Sequence, residues 1–178
     1  MKNYTNKSIK FLTGSKIYLR PFELKDITNE YRIHINQIEF LSLAIKFPSN
    51  KIELEEYAKE HRLSKNSIFF SICNLKNDDL IGTASLSKIN WLDKNANYGR
   101  LIFRNYQNKG YGTEVLNLLK NYAFNYLNLN TILTIVYSDN IGSITSNLKS
   151  GARKAGILKK YFFKNNKFVD GIIFQINK

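Results

Sequence analysis

The chain has 178 residues, 43% hydrophobic and 13% aromatic, enough for one packed domain and too apolar for a disordered chain. Its net charge of +13 suits an acidic partner such as nucleic acid, a nucleotide or a phosphorylated cofactor, or simply reflects heavy use of Lys, Asn and Ile throughout the chain. The lysines are scattered, with no block of five or six like charges, so charge alone assigns no nucleic-acid role.

The longest apolar runs, such as residues 132–136 and 171–174, are far too short to cross a bilayer, so no membrane association is expected. The opening "MKNYTNKSIKFLTG" has no apolar core and no small-residue cleavage site, so it does not read as a secretory signal. Cys73 is the only cysteine, which excludes an internal disulfide and suits a reducing, cytoplasmic location.

In chain order, "KIYLRPF" (16–22) alternates apolar and polar residues and predicts a strand stopped by Pro21. "ELKDITNEYRIHINQIEF" (23–40) predicts a helix with Leu24, Ile27, Tyr31, Ile35 and Ile38 at helical spacing. "FPSNKIELEEYAKEHRLSK" (47–65) predicts a second, with Ser49 or Asn50 as N-cap and Glu53, Glu55 and Glu56 on a solvated face. "SIFFSICNL" and "LIGTASLSKINW" form a hairpin around the turn residues 76–79, with Cys73 in its core-facing register. "ANYGRLIF" (96–103) is the next strand.

A loop with Gly110 and Gly112 then opens a helix over about 113–127. Val115, Leu116, Leu119, Tyr122, Ala123, Tyr126 and Leu127 share its apolar face. The strand "TILTIVY" and a short helix over 141–150, ended by Gly151, follow. "AGILKKYFF" and "KFVDGIIFQI" close the chain as a hairpin around Asn165 and Asn166. The order β-α-α-β-β-β-α-β-α-β-β is an α+β arrangement of about seven strands on a mostly antiparallel sheet.

The two glycines carry the functional reading. A helix start presents unpaired N–H groups and the positive end of its dipole, and glycines let an anion approach without a Cβ in the way. Lys109 adds a mobile charge. A Walker loop fails because the order is Lys-Gly-Tyr-Gly-Thr, and a dinucleotide fingerprint fails because Val115 stands at its third glycine. The pattern Gln/Arg-x-x-Gly-x-Gly/Ala, which holds the pyrophosphate of coenzyme A, is matched by Gln107 to Gly112 at every fixed position.

With "TGSKIYLRPF" at its start, "YGRLIFRNYQNKGYGTEVLNLLKNYAF" in its middle and "NIGSITSNLKSGARKAGILKKYFFKNNKFVDGIIFQI" at its end, the chain resembles the GNAT acetyltransferase superfamily nearly end to end. Within it the resemblance is to the branch of ribosomal-protein N-terminal (Rim-type) and aminosugar or sugar-nucleotide acetyltransferases. The resemblance implies a single GNAT-like domain over residues 1–178, helices on both sheet faces, and acetyl-CoA as donor. It implies that the backbone of Leu101, Ile102 and Phe103 pairs with the pantetheine arm, near Gln107. The amides of Asn108, Lys109, Gly110, Tyr111, Gly112 and Thr113 would bind pyrophosphate, and Asn140 would touch the cofactor's middle or thiol end. It also implies a bulge that splays the cofactor strand from its neighbour, for which Gly99 gives room.

Acetylating an amine requires its neutral form, about one part in a thousand for an alkylammonium at pH 7, a handicap of roughly 4 kcal/mol that a general base offsets. The carboxylate common in that branch falls at Asn97, and the family's helix tyrosine falls at Asn147. Glu39 and His34 are then the base candidates, and Ser143 or Ser146 the donor to the departing thiolate. A weakly basic amine that needs no base is the alternative, as is an acyl-CoA binder without transfer. The expected acceptor is an aminosugar or sugar nucleotide, next a protein N-terminus, with polyamines disfavoured for lack of an acidic pocket. Nucleic acid is the rival partner from another class and is not expected; a monomer or homodimer is. Trp91, Tyr98 and Tyr111 invite a substrate-stacking role, although aromatics at strand edges more often pack.

Overall fold

A computed structural model describes residues 9–36 and 47–178, with 61 and 62 by backbone alone. Among these residues eight strands form one sheet in the order β1-β2-β3-β4-β5-β6-β8-β7. They are β1 (Leu12–Thr13), β2 (Ile17–Pro21), β3 (Ile68–Asn74), β4 (Leu80–Asn90), β5 (Asn95–Ile102), β6 (Thr131–Tyr137), β7 (Arg153–Lys164) and β8 (Lys167–Asn177). The helices are α1 (Asn29–Ile35), α2 (Lys51–Leu63), α3 (Tyr111–Asn121) and α4 (Ile141–Lys149). The extra strand relative to the sequence reading is β1, a two-residue pairing on β2.

The first helix is shorter than its periodicity suggests. Asp26 accepts from Arg20 Nη1 at 2.7 Å, from Ser71 Oγ at 2.6 Å and from the Glu23 amide at 2.9 Å, which pins residues 24–26 in a 3-10 turn. The helix therefore starts only after Thr28, whose side chain caps the Tyr31 amide. Ile38 and Glu39 lie outside the described residues. At α2 the N-cap is Asn50, closed by a capping box in which Glu53 takes the Asn50 amide at 2.8 Å. Glu53 thus has a capping duty and is more than part of a solvated face.

The main core gathers Ile17, Leu19, Phe70, Ile72 and Leu86 with Val115, Leu116, Leu119 and Ala123 of α3. A smaller cluster on the opposite face joins Ile27, Tyr31 and Ile35 with Leu54, Ala58 and Phe103. The sheet is therefore covered on both faces, by α3 on one and by α1 and α2 on the other. After Asn121 the chain makes a π-type turn over Tyr122–Tyr126, with the Leu127 amide on the Tyr122 carbonyl. This shifts the register: Tyr126, expected on the buried face, is 71% exposed, and Phe124 is buried instead. Cys73 is buried, and burial pushes its thiol up, as expected of a core residue.

Among the described residues only β5 and β6 run parallel, and they pair over just three positions, Asn95 to Asn97 against Thr131 to Leu133. Beyond Asn97 the two strands part, which opens a fork in mid-sheet. The bulge is not at Gly99: β5 stays in register with β4 from Asn97 to Ile102, and the extra residue lies on β4 between Ser87 and Asn90. Lys88, with φ 50°, sits there in the left-handed region.

Candidate active site

The chain leaves β5 through a 3-10 turn over Arg104–Tyr106 and enters α3 at Gly110, which has φ 85°. That left-handed N-cap is open to glycine at no steric cost. No side chain caps α3, and among the described residues the amides of Tyr111, Gly112 and Thr113 have no hydrogen-bond acceptor. The first turn of a helix with high apolar periodicity, anchored in the core by Val115 and Leu116, thus aims bare N–H groups outward beside the fork.

Cations surround this turn. Lys109 Nζ bonds the Asn105 carbonyl at 2.9 Å and lies over the Tyr106 ring. Lys16 Nζ reaches the Lys109 carbonyl at 3.5 Å. It is held there because Glu114, in the first turn of α3, accepts from the Ser15 amide and hydroxyl and from the Lys16 amide at 2.8 Å. Neither Lys16 nor Glu114 stood out in the sequence, since nothing local relates residues that lie 98 positions apart.

Just past the end of β5, the Phe103 amide donates to the Ile81 carbonyl at 2.9 Å, with Thr83 opposite Leu101. In an antiparallel ladder this turns the backbone groups of Leu101 and Phe103 toward β4, and those of Arg100 and Ile102 toward the fork. Pairing along the fork edge therefore falls to Arg100 and Ile102, whereas the sequence reading spread it over Leu101, Ile102 and Phe103. The Ile102 carbonyl is also taken by Gln107 Nε2 at 2.9 Å, which ties the loop to the strand end.

The fourth wall is α4, and it is polar on its inner side. Asn140 caps it through the Ser143 amide at 3.0 Å. Asn147, at the family's tyrosine position, is fully buried and accepts from the Tyr98 hydroxyl at 2.7 Å, while its amide donates to the Ser143 carbonyl at 2.9 Å. Ser146 Oγ accepts from Arg100 Nη2 at 2.5 Å. Ser143 Oγ is partly exposed and receives only a long 3.4 Å contact from Asn147 Nδ2.

Tyr98 is buried, and burial pushes its phenol up, so it packs under α4 and offers no stacking surface. Trp91, 40% exposed, donates its ring N–H to the Lys65 carbonyl at 3.0 Å, and Tyr111 packs against the main core. His34 lies on the other sheet face, 6% exposed and stacked 4.4 Å from Phe103, with Glu30 at 3.9 Å. Asn97 has the same strand parity as Leu101 and Phe103 and so belongs to that face. Glu39 lies outside the described residues. Among those residues no group of three or more His, Cys, Asp or Glu could hold a metal, and no helix is long and apolar enough to cross a membrane.

A mixed sheet parted beside its single parallel junction, with an uncapped, glycine-started helix at the mouth, defines a coenzyme A-dependent acyltransferase. The model of the acetyltransferase (GNAT) domain family matches residues 19–173, and the chain belongs to that family. A probable N-acetyltransferase of Bacillus subtilis, YjcK, is 31% identical over 159 residues, 84% of this chain and 87% of that one. A spermidine N(1)-acetyltransferase of Vibrio cholerae is 26% identical over 88% of this chain and 90% of its own length. The crystal structure of the Vibrio cholerae spermidine N-acetyltransferase in complex with CoA and spermine superposes with a TM-score of 0.84. It is 25% identical, and the match covers 92% of this chain and 96% of that one. The protein is an N-acetyltransferase with acetyl-CoA as donor.

Proposed function

We propose that this enzyme acetylates a small-molecule amine of the polyamine class. The fork between β5 and β6, with bare amides at its mouth, carries the donor half of the reading. The acceptor half rests on relatives named for spermidine acetylation that align along about nine-tenths of this chain. They draw the reading away from the aminosugar nucleotide and the protein N-terminus expected from the sequence.

The amides of Asn108 to Thr113 fit a diphosphate, because several lie exposed without acceptors and Lys16 and Lys109 stand beside them. Arg100 and Ile102 fit the pantetheine arm through strand-like pairing at the fork edge. When bound, the coenzyme supplies an activated acetyl thioester. Asn140 accepts the Ser143 amide through its Oδ1 as a cap and has its Nδ2 donors to offer for a cofactor contact. Ser143 Oγ has its proton to give, since no acceptor holds it among the described residues, and we assign it the hydrogen bond to the departing sulfur.

Asn97 cannot take the amine's proton. Of the two base candidates, His34 shares the sheet face of Asn97 but is held flat on Phe103, so we assign the role to Glu39.

The test is an acceptor panel with the purified protein and acetyl-CoA: spermidine, spermine, an amino sugar, its nucleotide-linked form, and a peptide with a free N-terminus. Thiol release and product mass are read for each. Monoacetylated spermidine as the main product is expected. Turnover of the amino sugars or the peptide alone would reject the polyamine assignment and leave the donor site standing.

A further inference from the structure

Arg100 occupies a position on β5 where alternation calls for an apolar side chain. It shares its face with Ala96, Tyr98 and Ile102, all of which pack in the main core. Its guanidinium finds a hydroxyl, Ser146 Oγ, and among the described residues it forms no ion pair. Burial disfavours its charge, lowering its pKa.

It also lies against the first turn of α3. A Cβ on Gly112 would sit 3.5 Å from Arg100 Nε. The positive end of α3 and a guanidinium thus share one corner of the protein. The carboxylate of that turn, Glu114, faces away from them onto Ser15 and Lys16. A half-buried guanidinium with no carboxylate beside it, set against the positive end of a helix, raises the energy of the free protein, and an anion at that corner relieves it.

We propose that Arg100 contacts the diphosphate end of the coenzyme from the sheet side, as a charged ligand additional to the loop amides. The inference rests on the donor site described above. It goes beyond it by assigning a side chain under the helix, where the amide cradle needs none. The free enzyme carries Arg100 at a cost, and the bound enzyme recovers it.

The experiment compares wild-type protein with R100M, which keeps the unbranched stem of the side chain without its charge, and R100K, which keeps its charge. CoA binding is titrated calorimetrically at two salt concentrations, and each protein is melted with and without CoA. R100M is expected to bind CoA about ten-fold or more weakly with a shallower salt dependence, and to melt no lower than wild type when free. R100K is expected to keep most of the affinity. Pantetheine, which lacks the diphosphate and the phosphorylated adenosine beyond it, should bind wild type and R100M alike.

Wild-type CoA affinity in R100M would overturn the proposal. So would a free R100M and a free R100K that both melt well below wild type and lose CoA affinity equally, since that marks a purely structural arginine. Wild-type protein that binds no CoA would instead overturn the donor site itself.

Discussion

The Tyr98 hydroxyl donates to Asn147 Oδ1 across 2.7 Å, and both side chains are buried, at 3% and 0% exposure. The strand phenol and the helix amide thus satisfy each other at the place where the family's helix tyrosine would stand. Removing either partner strands the other, so Asn147→Ala and Tyr98→Phe should each cost about 1–3 kcal/mol by denaturant titration. The double variant should cost less than the sum, with a coupling of about 1 kcal/mol. The hydroxyl is buried and its proton is held by Asn147, so kcat of Tyr98→Phe should stay within about three-fold of wild type. A loss of about a hundred-fold would instead make this phenol a proton donor.

The two glycines of the loop should respond differently to alanine. Gly110 holds φ 85°, where a Cβ costs about 1–2 kcal/mol, so Gly110→Ala should lower the melting temperature and weaken CoA binding together. Gly112 is helical, and its new methyl would lie at an ordinary 3.5 Å from Arg100 Nε. Gly112→Ala should therefore leave stability unchanged or slightly raised. Thermal melts with CoA titrations check both.

Much of this fold is legible in local patterns. The hairpin at Asn165 and Asn166 declared itself by turn chemistry, and both residues are left-handed, at φ 50° and 58°. Gly151, at φ 85°, ends α4 as expected. What escaped was set by distant partners. Asp26 was drawn out of a helical pattern by Arg20 and Ser71, which come from two strands. In α4 the helically spaced Ile141 and Leu148 point outward, at 68% and 49% exposure, because Tyr98 and Arg100 recruit the polar side. Only Arg100 left a local trace, as a charged residue in the inward register of a core strand.

Stability should fall in acid through Asp26. Burial pushes its carboxyl up, but hydrogen bonds from Arg20, Ser71 and the Glu23 amide, with the charge of Arg20, outweigh this and hold it below the usual range. The unfolded chain then binds the proton more readily. The contribution is complete above the ordinary carboxylate pKa of about 4 and is lost as pH falls through the folded value. Asp26→Ala strands a buried guanidinium and should cost about 3–5 kcal/mol at neutral pH. Its stability should also depend less on pH below about 4, as urea titrations at stepped pH would show.

Glu114 and Lys16 should act as one unit in holding the coenzyme. Glu114 accepts from the Ser15 and Lys16 amides, and this brings Lys16 Nζ to the Lys109 carbonyl. Lys16 is exposed, so Lys16→Ala should leave stability within about 0.5 kcal/mol while weakening CoA binding and flattening its salt dependence. Glu114→Ala removes charge-assisted hydrogen bonds and should cost about 1.5–3 kcal/mol of stability. It should also weaken CoA binding, although it deletes a negative charge beside an anion site, because the β1–β2 loop no longer delivers its lysine. The opposite sign, tighter CoA binding in Glu114→Ala, would mean that simple charge repulsion outweighs positioning. If positioning governs, the double variant binds CoA no more weakly than the weaker single one, since a lysine already released has nothing further to lose.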